Sequence, residues 1–123
     1  MRQHRYSTEL CPRFQAAVEL LGKRWTTLIL RVLLDGPARF GELTDSLQVI
    51  SERMLSERLK ELEEQEVVER RVLSGPPVRV EYRLTPKGEA LGRVVRVLGK
   101  WAEEWIEPPA PAPVRNAAVR QRG

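Results

Sequence analysis

Residues 50–66 read ISERMLSERLKELEEQE, and how this stretch folds decides how the chain folds. At about 100° per residue, Leu55, Leu59 and Leu62 fall on one stripe of a helical wheel, with Met54 at its edge. The opposite face carries Arg53, Ser56, Glu57, Lys60 and Glu64. Ser51 stands at the N-cap position, so a helix is expected from there to about Gln65. Just upstream, Phe40, Leu43 and Leu47 recur at helical spacing, and Gln48-Val49-Ile50 is the link between the two segments. Two helices joined by so short a link form a helix-turn-helix. The charge of the second helix is uneven. Residues 51–60 hold three basic and two acidic side chains, whereas residues 61–66 hold four Glu and no base.

Working outward, Pro12 suits the first turn of a helix that runs to about Leu21, with Phe14, Ala17, Val18 and Leu21 on one apolar face and Gly22 as its stop. A helix over Trp25 to Leu34 is apolar nearly all round, which predicts burial. Asp35-Gly36-Pro37 ends it. Beyond the central helix, Val67–Leu73 and Val78–Leu84 read as strands, the second alternating apolar and charged residues without a break. Ser74-Gly75-Pro76-Pro77 must turn between them, giving a β-hairpin. Thr85-Pro86 is an N-cap followed by Pro at the first helical position, and the last helix is expected to reach about Glu107. The order is helix, helix, helix-turn-helix, hairpin, helix. That is a mainly α chain with a small β-hairpin, an α+β winged helix-turn-helix whose hairpin is the wing.

The 123 residues carry 21 basic and 17 acidic side chains, with an isoelectric point near 9.7. The excess sits at the ends, because residues 11–107 hold 16 of each sign. Any nucleic-acid argument therefore rests on where the charges lie and not on their sum. Residues 1–10 read as a flexible arm, 11–107 as the folded domain, and 108–123, which open with PPAPAP, as a Pro-rich basic disordered tail. The single Cys and single His exclude an internal disulfide and leave too few ligands for a structural zinc site. No cofactor or metal is expected. Gly-rich phosphate loops and Ser-His-Asp or Cys-His sets are missing from the sequence, so no catalytic residues are assigned and an enzyme is not expected. No apolar run is long enough to span a membrane, and no hydrophobic segment follows Met1, so the expected address is the cytoplasm, at the nucleoid.

In this order and spacing, CP at 11–12, LLGKRWTTLILRVLLDGPARFGEL at 20–43, ISERMLSERLKELEEQEVVERRV at 50–72, PPVRVEYRLTPKGEAL at 76–91 and the region of Trp101 resemble the HxlR family of bacterial winged helix-turn-helix regulators, relatives of the MarR type. The resemblance covers residues 11–107. It implies a homodimer that binds double-stranded operator DNA and controls transcription, with repression the commoner mode for so small a domain.

Helix-turn-helix docking brings the N-terminal part of the second helix to the base edges. With the resemblance, that geometry makes Ser51, Arg53, Ser56 and Glu57 the expected groove contacts and Lys60 a phosphate contact, while the acidic end points away. Glu57 has two readings: acceptor from a cytosine amino group, or ion-pair partner of Arg53 and Lys60. Arg58 lies nearer the core stripe, and its two readings are packing of its stem there or a contact to DNA. In the hairpin, Arg79 sits nearest the turn, with Arg71 and Arg83 further back, as candidate wing contacts to backbone or minor groove. The alternative is a solvated hairpin with scattered Arg.

In the last helix Leu91, Val94, Val95, Leu98, Trp101, Ala102 and Trp105 repeat at about 3.5 residues. We read them as a dimer seam shared with Phe14, Val18 and Leu21 of the first helix, the alternative being packing of the last helix on the first within one chain. Cys11 precedes a helix N-terminus, where amide dipoles favour thiolate. The resemblance implies a sensor of oxidants or small-molecule electrophiles there, and the alternative is a small apolar packing residue. A rival to the DNA role is a winged helix that binds only protein.

Overall fold

The computed structural model describes residues 12–109. The arm at 1–10, Cys11, and all of the tail except Pro108 and Pro109 lie outside the described residues. The elements run α1 (Pro12–Gly22), α2 (Thr26–Leu33), β1 (Ala38–Arg39), α3 (Phe40–Ser46), α4 (Glu52–Glu64), β2 (Val68–Leu73), β3 (Arg79–Leu84) and α5 (Pro86–Trp105).

Local chemistry accounts for the boundaries. Ser51 Oγ accepts from the Met54 N–H at 3.1 Å and opens α4. Thr85 Oγ1 accepts from Gly88 N–H at 3.0 Å and opens α5, with Pro86 behind it. Glu42 Oε1 accepts from Arg39 N–H at 2.8 Å at the start of α3. The helix α4 ends where Glu66 takes a left-handed conformation (φ 61°), which frees Val67 to donate to Leu62 O at 2.9 Å and turn into β2.

The core gathers Ile29, Leu30 and Leu33 of α2, Leu43 of α3, and Leu55, Leu59 and Leu62 of α4, with Val67, Val68, Leu84 and Val95, all buried. The Leu55–Leu59–Leu62 stripe fixes which way α4 faces. Each such side chain contributes about 1.5–3 kcal/mol by leaving water. Because they occupy one side of the helix, the polar side is forced outward.

The expected hairpin is present, but it is part of a three-stranded sheet ordered β1-β3-β2. The two-residue β1 pairs antiparallel with β3, Ala38 opposite Tyr82 and Arg39 opposite Glu81. The expectation that α2 is buried all round needs correction. Leu28 is exposed and Val32 half-buried, because α2 packs one face on the core and leaves the other uncovered. Trp25 does not open that helix. It stands before it in a left-handed conformation (φ 80°). Ile50, read as part of a link, is a core residue. No helix among the described residues is long and apolar enough to cross a membrane.

Candidate nucleic-acid interface

Burying Leu55, Leu59 and Leu62 leaves Ser51, Arg53, Ser56, Glu57 and Lys60 exposed on the far side of α4. The Arg53 side chain is 91% exposed, and its Nε stands 3.7 Å from Glu57 Oε2. At that distance the pair is a loose surface contact worth under about 1 kcal/mol, so Arg53 exchanges Glu57 for another anion at little cost. Ser51 Oγ accepts the capping N–H, and its own hydroxyl proton is left to donate elsewhere.

The acidic end of α4 is turned to other uses. Glu61 accepts from Arg58 Nη1 at 3.3 Å and pairs with Lys23 Nζ at 3.3 Å. Lys87 Nζ donates to Gln65 O at 2.7 Å, placing a cation on the last carbonyls of the helix, where the macrodipole favours one. Four Glu in 61–66 are thus partly offset by lysines brought from α5 and from the α1–α2 turn, which the local sequence does not reveal.

In the wing, β2 and β3 pair from Val68–Leu84 at the base to Leu73–Arg79 near the tip. One face alternates charge across the strands, with Glu69 opposite Arg83 and Arg71 opposite Glu81. Arg83 Nε lies 3.8 Å from Glu69 Oε1. Arg79 has Leu73 opposite it, with no carboxylate as direct cross-strand partner. So the three candidate wing arginines differ. Arg79 projects at the tip, Arg71 has Glu81 opposite it, and Arg83 sits at the base beside Glu69. Val72 and Val78 are exposed on the outer wing.

Away from this surface, α1 buries none of its residues, and Phe14 is 65% and Val18 50% exposed, with Leu21 half-buried. Along α5, Val94, Leu98, Trp101 and Trp105 are exposed, the last at 71%, and Leu91 is half-buried. The expected seam divides: Val95 belongs to the core, because it faces inward beside Gly92 and Gly88. Between α1, α5 and the end of α4 runs an apolar groove of about 730 Å³, lined by Ala17, Leu20, Val67, Ala90, Leu91 and Val94 among others.

A helix-turn-helix with an exposed polar face on its second helix and a three-stranded wing sheet defines the class: a winged helix-turn-helix DNA-binding protein. The model of the HxlR-like helix-turn-helix family matches residues 20–110. The chain is 52% identical over 99 residues to the HTH-type transcriptional regulator YodB of Bacillus subtilis, an alignment covering 80% of this chain and 88% of that protein. Its fold superimposes on the reduced form of YodB with a TM-score of 0.71 at 52% identity, covering 81% of this chain and 98% of the other. On the redox regulator HypR in its oxidized form the TM-score is 0.74 at 32% identity, covering 80% and 100%. The chain belongs to the HxlR family and is a helix-turn-helix transcriptional regulator. Those relatives favour this reading over a winged helix that binds only protein.

Proposed function

We propose that the chain acts at the nucleoid as a homodimeric repressor on a roughly palindromic operator, and that Cys11 makes it responsive to oxidants or electrophiles. The observation that carries the DNA part is the face formed by Ser51, Arg53, Ser56, Glu57 and Lys60, which the core stripe forces outward on the N-terminal half of α4. That half enters the major groove in this class of motif, and the tip arginine of the wing reaches the neighbouring backbone or minor groove. Supporting the dimer, Trp101, Trp105, Leu98, Val94, Phe14 and Val18 are all exposed on two helices, and clustered large apolar side chains of this kind mark interaction surfaces. A two-fold arrangement sets two copies of α4 about one DNA turn, or a multiple, apart.

Cys11 lies outside the described residues, immediately before the start of α1. Solved structures of YodB include a diamide-treated and a quinone-bound form, and HypR is described as a redox regulator. This chain has a single Cys, so diamide takes two electrons and two protons from the Cys11 thiols of two protomers and leaves a disulfide between them. A quinone instead adds to the thiolate and is held as a thioether. Either product alters the entry to α1 and with it the grip on DNA.

Fluorescence anisotropy on the duplex upstream of the chain's own gene tests the reading. Arg53→Ala and Arg79→Ala each weaken binding by about 1–3 kcal/mol. Diamide releases the wild type and leaves Cys11→Ser bound. Unchanged binding of both Arg variants would turn the reading toward a protein-interaction module, and an equal diamide response in Cys11→Ser would remove the sensor.

A further inference from the structure

Arg58 is on the recognition helix but not on its groove face. It lies about 160° around the wheel from Lys60, and its side chain is only 15% exposed. Its Nε donates to the backbone carbonyl of Arg24 at 2.8 Å, across 34 residues of sequence. Its Nη1 reaches both carboxylate oxygens of Glu61 at 3.3 Å. Lys23, one residue before Arg24, closes the loop by pairing with the same Glu61 at 3.3 Å. Two adjacent residues of the α1–α2 turn are therefore tied to two residues one helical turn apart on α4.

The turn itself is held in an unusual shape. Trp25 sits at φ 80°, a region that bulky residues seldom enter, with the Arg24 guanidinium 4.3 Å above its ring. Such a conformation persists only where the surroundings over-determine it. Here the half-buried Trp25 packs against the core on one side, and on the other the Arg24 carbonyl is presented to Arg58. A planar guanidinium that binds a carbonyl and a carboxylate together fixes an angle as well as a distance, which an ammonium does not.

We infer that Arg58 and Lys23 are positioning residues of the recognition helix. They lock α4 to the α1–α2 turn, so the attitude of the groove face follows α1. This rests on the DNA-binding reading of α4 and names the joint through which events on α1 reach it.

The test uses the full chain with Arg58→Gln, and with Lys23→Gln as a milder variant on a more exposed side chain. Amide hydrogen exchange without DNA comes first. The joint requires exchange to rise together in residues 23–30 and 52–58, with thermal stability lowered only slightly in Lys23→Gln. Anisotropy then compares the operator with a scrambled duplex of equal length. We expect operator affinity to fall about 3- to 30-fold in Arg58→Gln, with scrambled-duplex affinity and salt slope unchanged. Unchanged exchange in both segments of both variants would overturn the inference, whatever the DNA result. So would raised exchange with wild-type operator selectivity, or a salt slope reduced by about 1, which would make Arg58 a phosphate contact instead. If the wild type itself does not prefer the operator, the operator reading fails, while coupled exchange would still establish the joint.

Discussion

Replacing Gly88 with Ala reverses the usual sign of a helix substitution. In an exposed helix, Gly→Ala stabilises by about 1 kcal/mol. Gly88 occupies the third position of α5, behind the Thr85 cap, and is buried. A Cβ built there falls on the Val67 carbonyl oxygen, 3.0 Å from its carbon and 3.2 Å from Leu84 Cδ2. The Val67 oxygen cannot retreat cheaply, because it accepts from Thr85 N at 3.1 Å, and the adjoining Glu66 carbonyl accepts from the Thr85 hydroxyl at 2.6 Å. This is the point where the end of α4, the base of the wing and the start of α5 meet. Overpacking costs about 1–3 kcal/mol, and each disturbed hydrogen bond adds about 1 kcal/mol. After the propensity gain, the net loss is about 2–4 kcal/mol. For a domain of this size, 1 kcal/mol moves Tm by about 4–8 °C, so Gly88→Ala should lower Tm by more than about 8 °C. Gly99, in the same helix, meets nothing within 4 Å, and Gly99→Ala should raise Tm by a few degrees. Thermal unfolding followed by circular dichroism reads both. A Gly88→Ala protein as stable as wild type, or more so, would refute the close approach of α5 to Val67.

Ser51→Ala removes the α4 cap and should cost about 1 kcal/mol in denaturant unfolding, with the slope unchanged. At Glu66, where the backbone is left-handed, Glu66→Gly should stabilise by up to about 1 kcal/mol, read as a rise in Tm. Lys60→Ala should weaken binding to all duplexes alike and reduce the salt slope by about 1, measured by anisotropy across salt concentrations.

Much of the fold is legible in the sequence because its signals are local. Ser51 and Thr85-Pro86 are caps whose chemistry needs only the next three residues, and both sit where expected. The alternation of Val78–Leu84 marks a strand whose inward side chains, Tyr82 and Leu84, pack on the core. What escaped reading is set by distant partners. The strand β1 is two residues long and exists because Tyr82 and Glu81 lie beside it. Ile50 is buried in the core cluster, with its N–H donating to Leu47 O at 3.0 Å, a turn that periodicity cannot express in three residues. The positive φ of Trp25 and Glu66 has no composition signal, since neither is Gly or Asn. At the site, the outward face of α4 follows from the leucine stripe alone. The differing status of the wing arginines does not, because register decides which of them faces a carboxylate: Arg71 meets Glu81, Arg83 meets Glu69, and Arg79 meets Leu73. Nor does the role of Arg58, whose carbonyl partner is 34 residues away.

The central claim is that α4 and the wing read a particular DNA sequence. Fluorescence anisotropy of the wild-type chain against two duplexes of equal length, over several salt concentrations, tests it most directly. One duplex is the DNA upstream of its own gene and the other is a scrambled version. Binding to the first is expected to be tighter by about 10³ or more. Equal, weak and steeply salt-dependent binding to both would contradict it, leaving only charge, and not sequence, as what the protein recognises in that DNA.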